Sequence, residues 1–84
     1  MDKRDRFAAN LRRAREAAGI SQEELAERCE LHRTEISLLE RGGREPRLGT
    51  LIKLATALGA SAGDLCTGIG WDAKAREYKI DRPS

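Results

Sequence analysis

The sequence has little of several residue types, and each shortage excludes a class of function. It contains one histidine and two cysteines among 84 residues. Cys29 and Cys66 are 37 positions apart with no second pair near either, so the ligand spacing of a structural zinc site is missing. We expect both thiols to serve as small buried apolar side chains, and a disulfide or redox switch is the alternative. We therefore predict no metal site and no cofactor.

Long apolar runs are also absent. No stretch approaches the roughly 20 apolar residues that a membrane-spanning helix needs, and the first residues, MDKRDRF, lack the apolar segment of a signal peptide. We expect a cytoplasmic protein without a membrane partner. An enzyme is not expected, because His32 is the only histidine and no nucleophile with a base or pair of carboxylates accompanies it.

Charge is abundant but nearly balanced. Charged residues make up 36% of the chain, yet the net charge is only +2, so the distribution of charge matters more than its sum. Residues 1–20 carry six Lys or Arg against three acids, whereas residues 21–30 carry one against four. Basic surface is therefore predicted on the first helix and in the loop after Glu40.

The segment from Ser21 to Glu40 contains two short helical periods separated by three or four residues. Ser21 is a good N-cap residue with Glu24 at the capping-box spacing. Helices this short are marginal alone in water, where about 12–15 residues are needed. They must therefore pack on each other, and two short helices joined by a tight turn indicate a helix-turn-helix.

The remaining chain supplies three more helices. An apolar stripe predicts a first helix that starts at Asp2 or Asp5 and ends at Gly19; its members are Phe7, Leu11, Ala14 and Ala18. The most apolar segment, residues 48–58, predicts a fourth helix that is ended by Gly59. Ser61 is an N-cap candidate for a fifth, short helix. We place a helical DNA-binding domain at residues 1–67.

Residues 68–84 differ in character. Two apolar alternations of period two flank a polar centre, a weak signal for a β-hairpin; they are formed by Ile69, Trp71, Tyr78 and Ile80. A lone hairpin is marginal in water, so these four residues are candidates for a dimer interface. A frayed tail and a C-terminal helix remain the alternatives.

The segment GISQEELAERCELHRTEISLLERG resembles the Cro and phage-repressor (XRE) helix-turn-helix family, and residues 7–66 match its five-helix layout. The segment LHRTEISLLERGGREPRLGTLIKLATALG is similar to the controller proteins of restriction–modification systems. The resemblance implies an all-α, five-helix, lambda-repressor-like domain with a short C-terminal extension. It also implies a structural ion pair between Arg15 and Glu40.

The family resemblance and the helical pattern predict which residues face DNA. Ile36 and Leu39 should anchor helix 33–40, which leaves the following candidates for base contacts: His32, Arg33, Thr34, Glu35, Ser37 and Leu38. Phosphate contacts are expected from the start of the second helix and from the loop, namely Gln22, Arg41, Gly42, Gly43, Arg44 and Arg47. The alternative for each base-contact candidate is a solvated helix position, and the alternative for the loop is a flexible basic turn.

One residue departs from the family pattern. Glu30 stands where the family usually has glycine, at a turn position that often takes a positive φ. We therefore expect the turn to take a different conformation, which would shift the start of the reading helix by about one residue.

The predicted function is sequence-specific DNA binding by a transcription regulator that recognises a pseudo-palindromic operator as a homodimer. The predicted partners are double-stranded DNA and a second copy of the chain. The alternative is a protein-interaction module on the same fold, such as an antitoxin whose partner is a toxin.

Overall fold

The computed structural model describes residues 1–82; the last two residues of the predicted tail at 68–84 lie outside this range. Five helices are followed by one two-stranded antiparallel sheet. The elements are α1 (Lys3–Ala17), α2 (Gln22–Cys29), α3 (Arg33–Glu40), α4 (Leu48–Ala57), α5 (Ala62–Leu65), β1 (Ile69–Asp72) and β2 (Glu77–Ile80). The predicted helices and the possible hairpin are therefore confirmed.

Local chemistry defines the ends of α1. Asp2 caps its N-terminus by accepting a hydrogen bond from the Asp5 backbone N–H, and the Asp5 carboxylate accepts one from the Asp2 N–H. This reciprocal pair satisfies two amides that have no partner within the helix. Gly19 follows the helix with φ of +71° and closes it. The sequence offered Asp2 or Asp5 as the start, and the structure selects Asp2.

The turn between α2 and α3 keeps the left-handed conformation despite its glutamate. Glu30 has φ of 54° and ψ of 44°, so the expectation of a different turn conformation is wrong. The backbone N–H groups of Glu30 and Leu31 donate to α2 carbonyls, which satisfies the end of that helix. Glu30 is exposed and points away from the core, so the turn bears the strain of a non-glycine residue without steric overlap inside the domain.

All five helices contribute to one core. Its fully buried large residues are Leu11, Leu25, Ile36, Leu39, Leu54, Leu65 and Cys29. Both cysteines are free thiols, Cys29 buried and Cys66 half-buried, so no disulfide joins them to each other. Burial raises the pKa of both thiols.

The helix α4 buries only part of its apolar side chains. Leu54 and Ala55 lie in the core, but Leu48 is 73% exposed and Ile52 is 52% exposed. Leu48 and Ile52 lie four positions apart on α4 and share one face of that helix.

The hairpin is anchored to α1 through its first strand. Gly68 has φ of +83° and lies next to the guanidinium of Arg6. The Nε of Arg6 donates to the Thr67 carbonyl at 2.9 Å. The Asn10 amide donates to the same carbonyl at 2.8 Å. Ile69 is partly buried and packs against the core, so it helps to anchor the strand. Its predicted role as a dimer contact stays a prediction.

Candidate nucleic-acid interface

One side of α3 is fixed in the core and the other side is open. Ile36 and Leu39 are 0% and 1% exposed, and they hold the helix against α1 and α2. The predicted base-contact residues lie on the other side: His32, Arg33 and Thr34 are exposed, and Glu35, Ser37 and Leu38 are half-buried. Leu38 lies partly against Gly43, since a Cβ built at that glycine would be 3.2 Å from Leu38 Cδ2.

The start of α3 is well defined at Arg33. The backbone carbonyl of His32 accepts hydrogen bonds from Glu35 and Ile36 at 3.0 and 3.3 Å. His32 is therefore the N-cap residue, with extended backbone and an exposed imidazole. Because the first residues of a recognition helix lie nearest the base edges, His32, Arg33 and Thr34 occupy the positions best suited to reading.

An ion pair holds the far end of α3 to α1. Arg15 Nε and Nη2 donate to the two carboxylate oxygens of Glu40 at 2.6 and 3.0 Å, and Nη1 donates to the Ile20 carbonyl at 2.9 Å. The Glu40 side chain is only 3% exposed. The hydrogen bond with Glu40 raises the pKa of the Arg15 guanidinium. Bidentate geometry of this kind fixes orientation as well as charge, so the pair sets the angle of α3.

Gln22 belongs to the same network and lies beside the open side of α3. Its side-chain amide donates to Glu40 Oε1 at 3.1 Å. With Arg33, Thr34 and Ser37 it lines an open depression between α2 and α3. The structure thus brings the predicted phosphate residue of α2 next to the predicted base-reading residues.

Residues 41–47, named here the basic loop, connect α3 to α4 and carry three exposed arginines: Arg41, Arg44 and Arg47. The two glycine amides in this loop do not form the expected phosphate cradle. Gly42 N–H donates to the Leu39 carbonyl at 3.3 Å, and Gly43 N–H donates to the Leu38 carbonyl at 2.9 Å. Both amides cap α3, so the predicted phosphate contacts of Gly42 and Gly43 are corrected.

Sequence reasoning missed a contact between the basic loop and α1. Lys3 Nζ lies 2.8 Å from Glu45 Oε2 and 4.8 Å from the centre of the Tyr78 ring. The two charged residues are 42 positions apart, and no local pattern relates them. Only the folded arrangement of loop, helix and hairpin brings them together.

Two other kinds of site find no support in the part of the chain that the structure describes. Within residues 1–82, no cluster of three or more histidine, cysteine or acidic side chains has an arrangement suited to a metal ion. None of the helices described has both the length and the apolar character required to cross a bilayer.

Comparison with known proteins agrees with this geometry. A helix-turn-helix family model, HTH_3, matches residues 11–65. The control protein C.SmaI of Serratia marcescens is 46% identical over 70 residues, which cover 83% of each chain. The crystal structure of the restriction–modification controller protein C.AhdI from Aeromonas hydrophila superposes with a TM-score of 0.72 at 40% identity, covering 74% of this chain and 94% of the other.

A repressor domain shares the fold as well. The DNA-binding domain of the P22 C2 repressor superposes with a TM-score of 0.73 at 28% identity, covering 81% of this chain and 88% of that domain. The lambda-repressor-like architecture is therefore confirmed. The chain belongs to the HTH_3 (XRE) helix-turn-helix family of DNA-binding transcription regulators, a family of non-enzymes.

Proposed function

We propose that this protein regulates transcription by inserting α3 into the major groove of a pseudo-palindromic operator, to which it binds as a homodimer. The observation that carries the proposal is the division of α3 into a buried side, held by Ile36 and Leu39, and an open side of mostly polar residues. A helix fits the major groove, where each base pair presents a distinct pattern of donors and acceptors. Similarity to two restriction–modification control proteins supports a regulatory role.

The residues proposed to face the bases are His32, Arg33, Thr34, Glu35, Ser37 and Leu38. Arg33 carries the largest share, because an exposed guanidinium at the start of α3 can donate two hydrogen bonds to guanine O6 and N7. Glu35 would accept from a cytosine amine or orient Arg33, and Thr34 would contact a thymine methyl group or a phosphate.

Phosphate contacts come from Gln22 and from the three arginines of the basic loop, Arg41, Arg44 and Arg47. Gln22 lies at the first position of α2, where the helix dipole favours an anion. The three arginines on each subunit of a dimer would neutralise six phosphates, which predicts that log K falls against log salt with a slope of about −5; the neutral amide of Gln22 releases no counterion. Fluorescence anisotropy between 50 and 300 mM salt (about a sixfold range) measures this slope. A slope near zero would contradict DNA binding through these groups.

We assign the dimer contact to the exposed aromatic face of the hairpin. Trp71 and Tyr78 are cross-strand partners whose rings meet edge to face at 5.1 Å, and they are 57% and 53% exposed. Aromatic residues of this exposure are typical anchors of protein interfaces. Ile80, half-buried next to them, would form the rim. Two subunits related by a two-fold axis would place their reading helices about 34 Å apart, one turn of B-DNA.

The dimer assignment is tested by comparing two exposed apolar pairs. Sedimentation equilibrium is measured for Trp71→Ser with Tyr78→Ser and for the matched variant Leu48→Ser with Ile52→Ser. We expect the hairpin variant to be monomeric at concentrations where the α4 variant stays dimeric. The opposite result would move the interface to α4 and refute the hairpin assignment.

The same aromatic pair supports a second candidate function, a protein-interaction module whose partner binds the hairpin. A chain that ends after Thr67 separates the two. Loss of dimerisation with residual weak DNA binding favours the regulator, whereas unchanged DNA binding with loss only of a protein partner, such as a toxin, favours the module. A regulator of this kind would act in the cytoplasm, where the bacterial chromosome is accessible.

A further inference from the structure

Three parts of the molecule meet at Lys3, the first residue of α1. Its ammonium lies 2.8 Å from Glu45 Oε2 in the basic loop and 4.8 Å from the centre of the Tyr78 ring on β2. The hydrogen bond with Glu45 raises the pKa of Lys3. A second contact supports this juxtaposition, because Asp5 of α1 lies directly against Gly42 of the same loop.

Glu45 is the only acid in the basic loop, whose sequence is RGGREPR. An unpaired carboxylate between Arg44 and Arg47 would repel a nearby phosphate and compete for the arginine side chains. The ammonium of Lys3 offsets that charge and draws the carboxylate towards α1. The ring of Tyr78, in turn, attracts the ammonium through its negative face.

We propose that Lys3 is a positioning residue that couples the hairpin to the basic loop. When Tyr78 occupies its place, Lys3 holds Glu45 away from the DNA and leaves Arg44 and Arg47 to the phosphates. When the hairpin moves, Lys3 loses one of its two partners and the loop changes its arrangement. A second subunit on the hairpin would hold Tyr78 in this place and would thus favour the DNA-binding arrangement of the loop. The consequence for DNA binding rests on the proposed function, whereas the contacts that would carry the coupling are present in the free protein.

The coupling is tested first without DNA, by backbone amide chemical shifts in ¹⁵N-labelled protein. Replacing Tyr78→Leu removes the ring and keeps an apolar side chain. We expect it to shift the amides of Arg44 and Glu45 in the wild-type background and to leave them unchanged when Lys3→Met is already present. Equal shifts in both backgrounds, or no shift in either, would overturn the proposal. Lys79→Met is the control, because it removes a lysine from the opposite face of the same strand.

The consequence for DNA is tested by a double-mutant cycle on binding to a fixed duplex. We expect Lys3→Met to weaken binding about three- to tenfold for a dimer, and to have less than about a twofold effect when Glu45→Gln is present. An equal loss in both backgrounds would mean that Lys3 contacts phosphate by itself, which would overturn its positioning role. If wild-type protein binds no duplex, the proposed function fails, while the chemical-shift experiment still decides the coupling.

Discussion

Glu40 accepts both hydrogen bonds of a bidentate pair with Arg15, and its side chain is almost completely withdrawn from solvent. The last residue of α3, the proposed reading helix, is therefore bound to α1. Gln22 completes the arrangement by donating to the same carboxylate. One side chain thus connects α1, α2 and α3, and the orientation of α3 depends on it.

The substitution Glu40→Gln keeps the shape of the side chain but removes its charge, and it should destabilise the protein strongly. It leaves the Arg15 guanidinium, 14% exposed, without its counter-charge, and we expect a loss of about 1–3 kcal/mol in the free energy of unfolding. Urea denaturation measures it. Glu16→Gln is the control, since its carboxylate pairs with Arg12 in the open at 3.5 Å and should change stability by less than about 0.5 kcal/mol. Equal losses in the two variants would show that the buried pair contributes no more to stability than the exposed pair.

Gly68→Ala tests how the hairpin is anchored. A Cβ at this position would lie 2.5–2.9 Å from the Arg6 guanidinium, and the backbone has φ of +83°. Both effects oppose alanine, so we expect a loss of about 1–3 kcal/mol in the free energy of unfolding. At Gly70 a Cβ would have nothing within 4 Å. Gly70→Ala should therefore leave the thermal midpoint nearly unchanged, and a similar drop in both variants would argue against the anchor.

Glu30→Gly should stabilise the helix-turn-helix. Glycine adopts the left-handed conformation of this position without the cost that a side chain incurs, so we expect a gain of about 0.5–1 kcal/mol after the entropy of the unfolded chain is included. The matched change Glu27→Gly, inside α2, should cost about 1 kcal/mol. Thermal unfolding of both variants distinguishes them. Destabilisation by Glu30→Gly would mean that the glutamate makes a favourable interaction that offsets the strain.

Arg44→Ala should weaken DNA binding without altering the preferred sequence. Losing one phosphate contact per subunit reduces the salt slope of a dimer by about 2. Lys53→Ala serves as the control, because it removes one positive charge from an exposed position on α4. It should leave the slope unchanged. Equal reductions in both would indicate a general charge effect instead of a defined contact by the basic loop.

Local signals in the sequence were enough to predict the helices. Gly19 and Ser21 act within one turn of their own positions, so the ends of α1 and α2 follow from neighbouring residues. The exposure of Leu48 and Ile52 could not be predicted in this way, because periodicity reveals an apolar helix but not which of its faces a neighbour covers. In the same way, the sequence does not show that the glycine amides of the basic loop donate to carbonyls at the end of α3.

Long-range contacts account for the rest of what the sequence did not reveal. The family resemblance implied the Arg15–Glu40 pair, and the structure contains it. No family resemblance implied the contact between Lys3 and Glu45, and this contact depends on the path of the hairpin. The residues that build the scaffold were thus more predictable than the contacts that connect its separate surfaces.

The proposed reading of bases by Arg33 of α3 can be measured by selection of bound sequences from a random pool of double-stranded DNA. The wild type and Arg33→Ala are carried through the same rounds and the bound sequences are compared. We predict that the wild type selects a two-fold pseudo-palindrome and that Arg33→Ala loses preference at one guanine in each half-site, a change of about 1–3 kcal/mol at that position. An unchanged base preference in Arg33→Ala would show that Arg33 does not read a base.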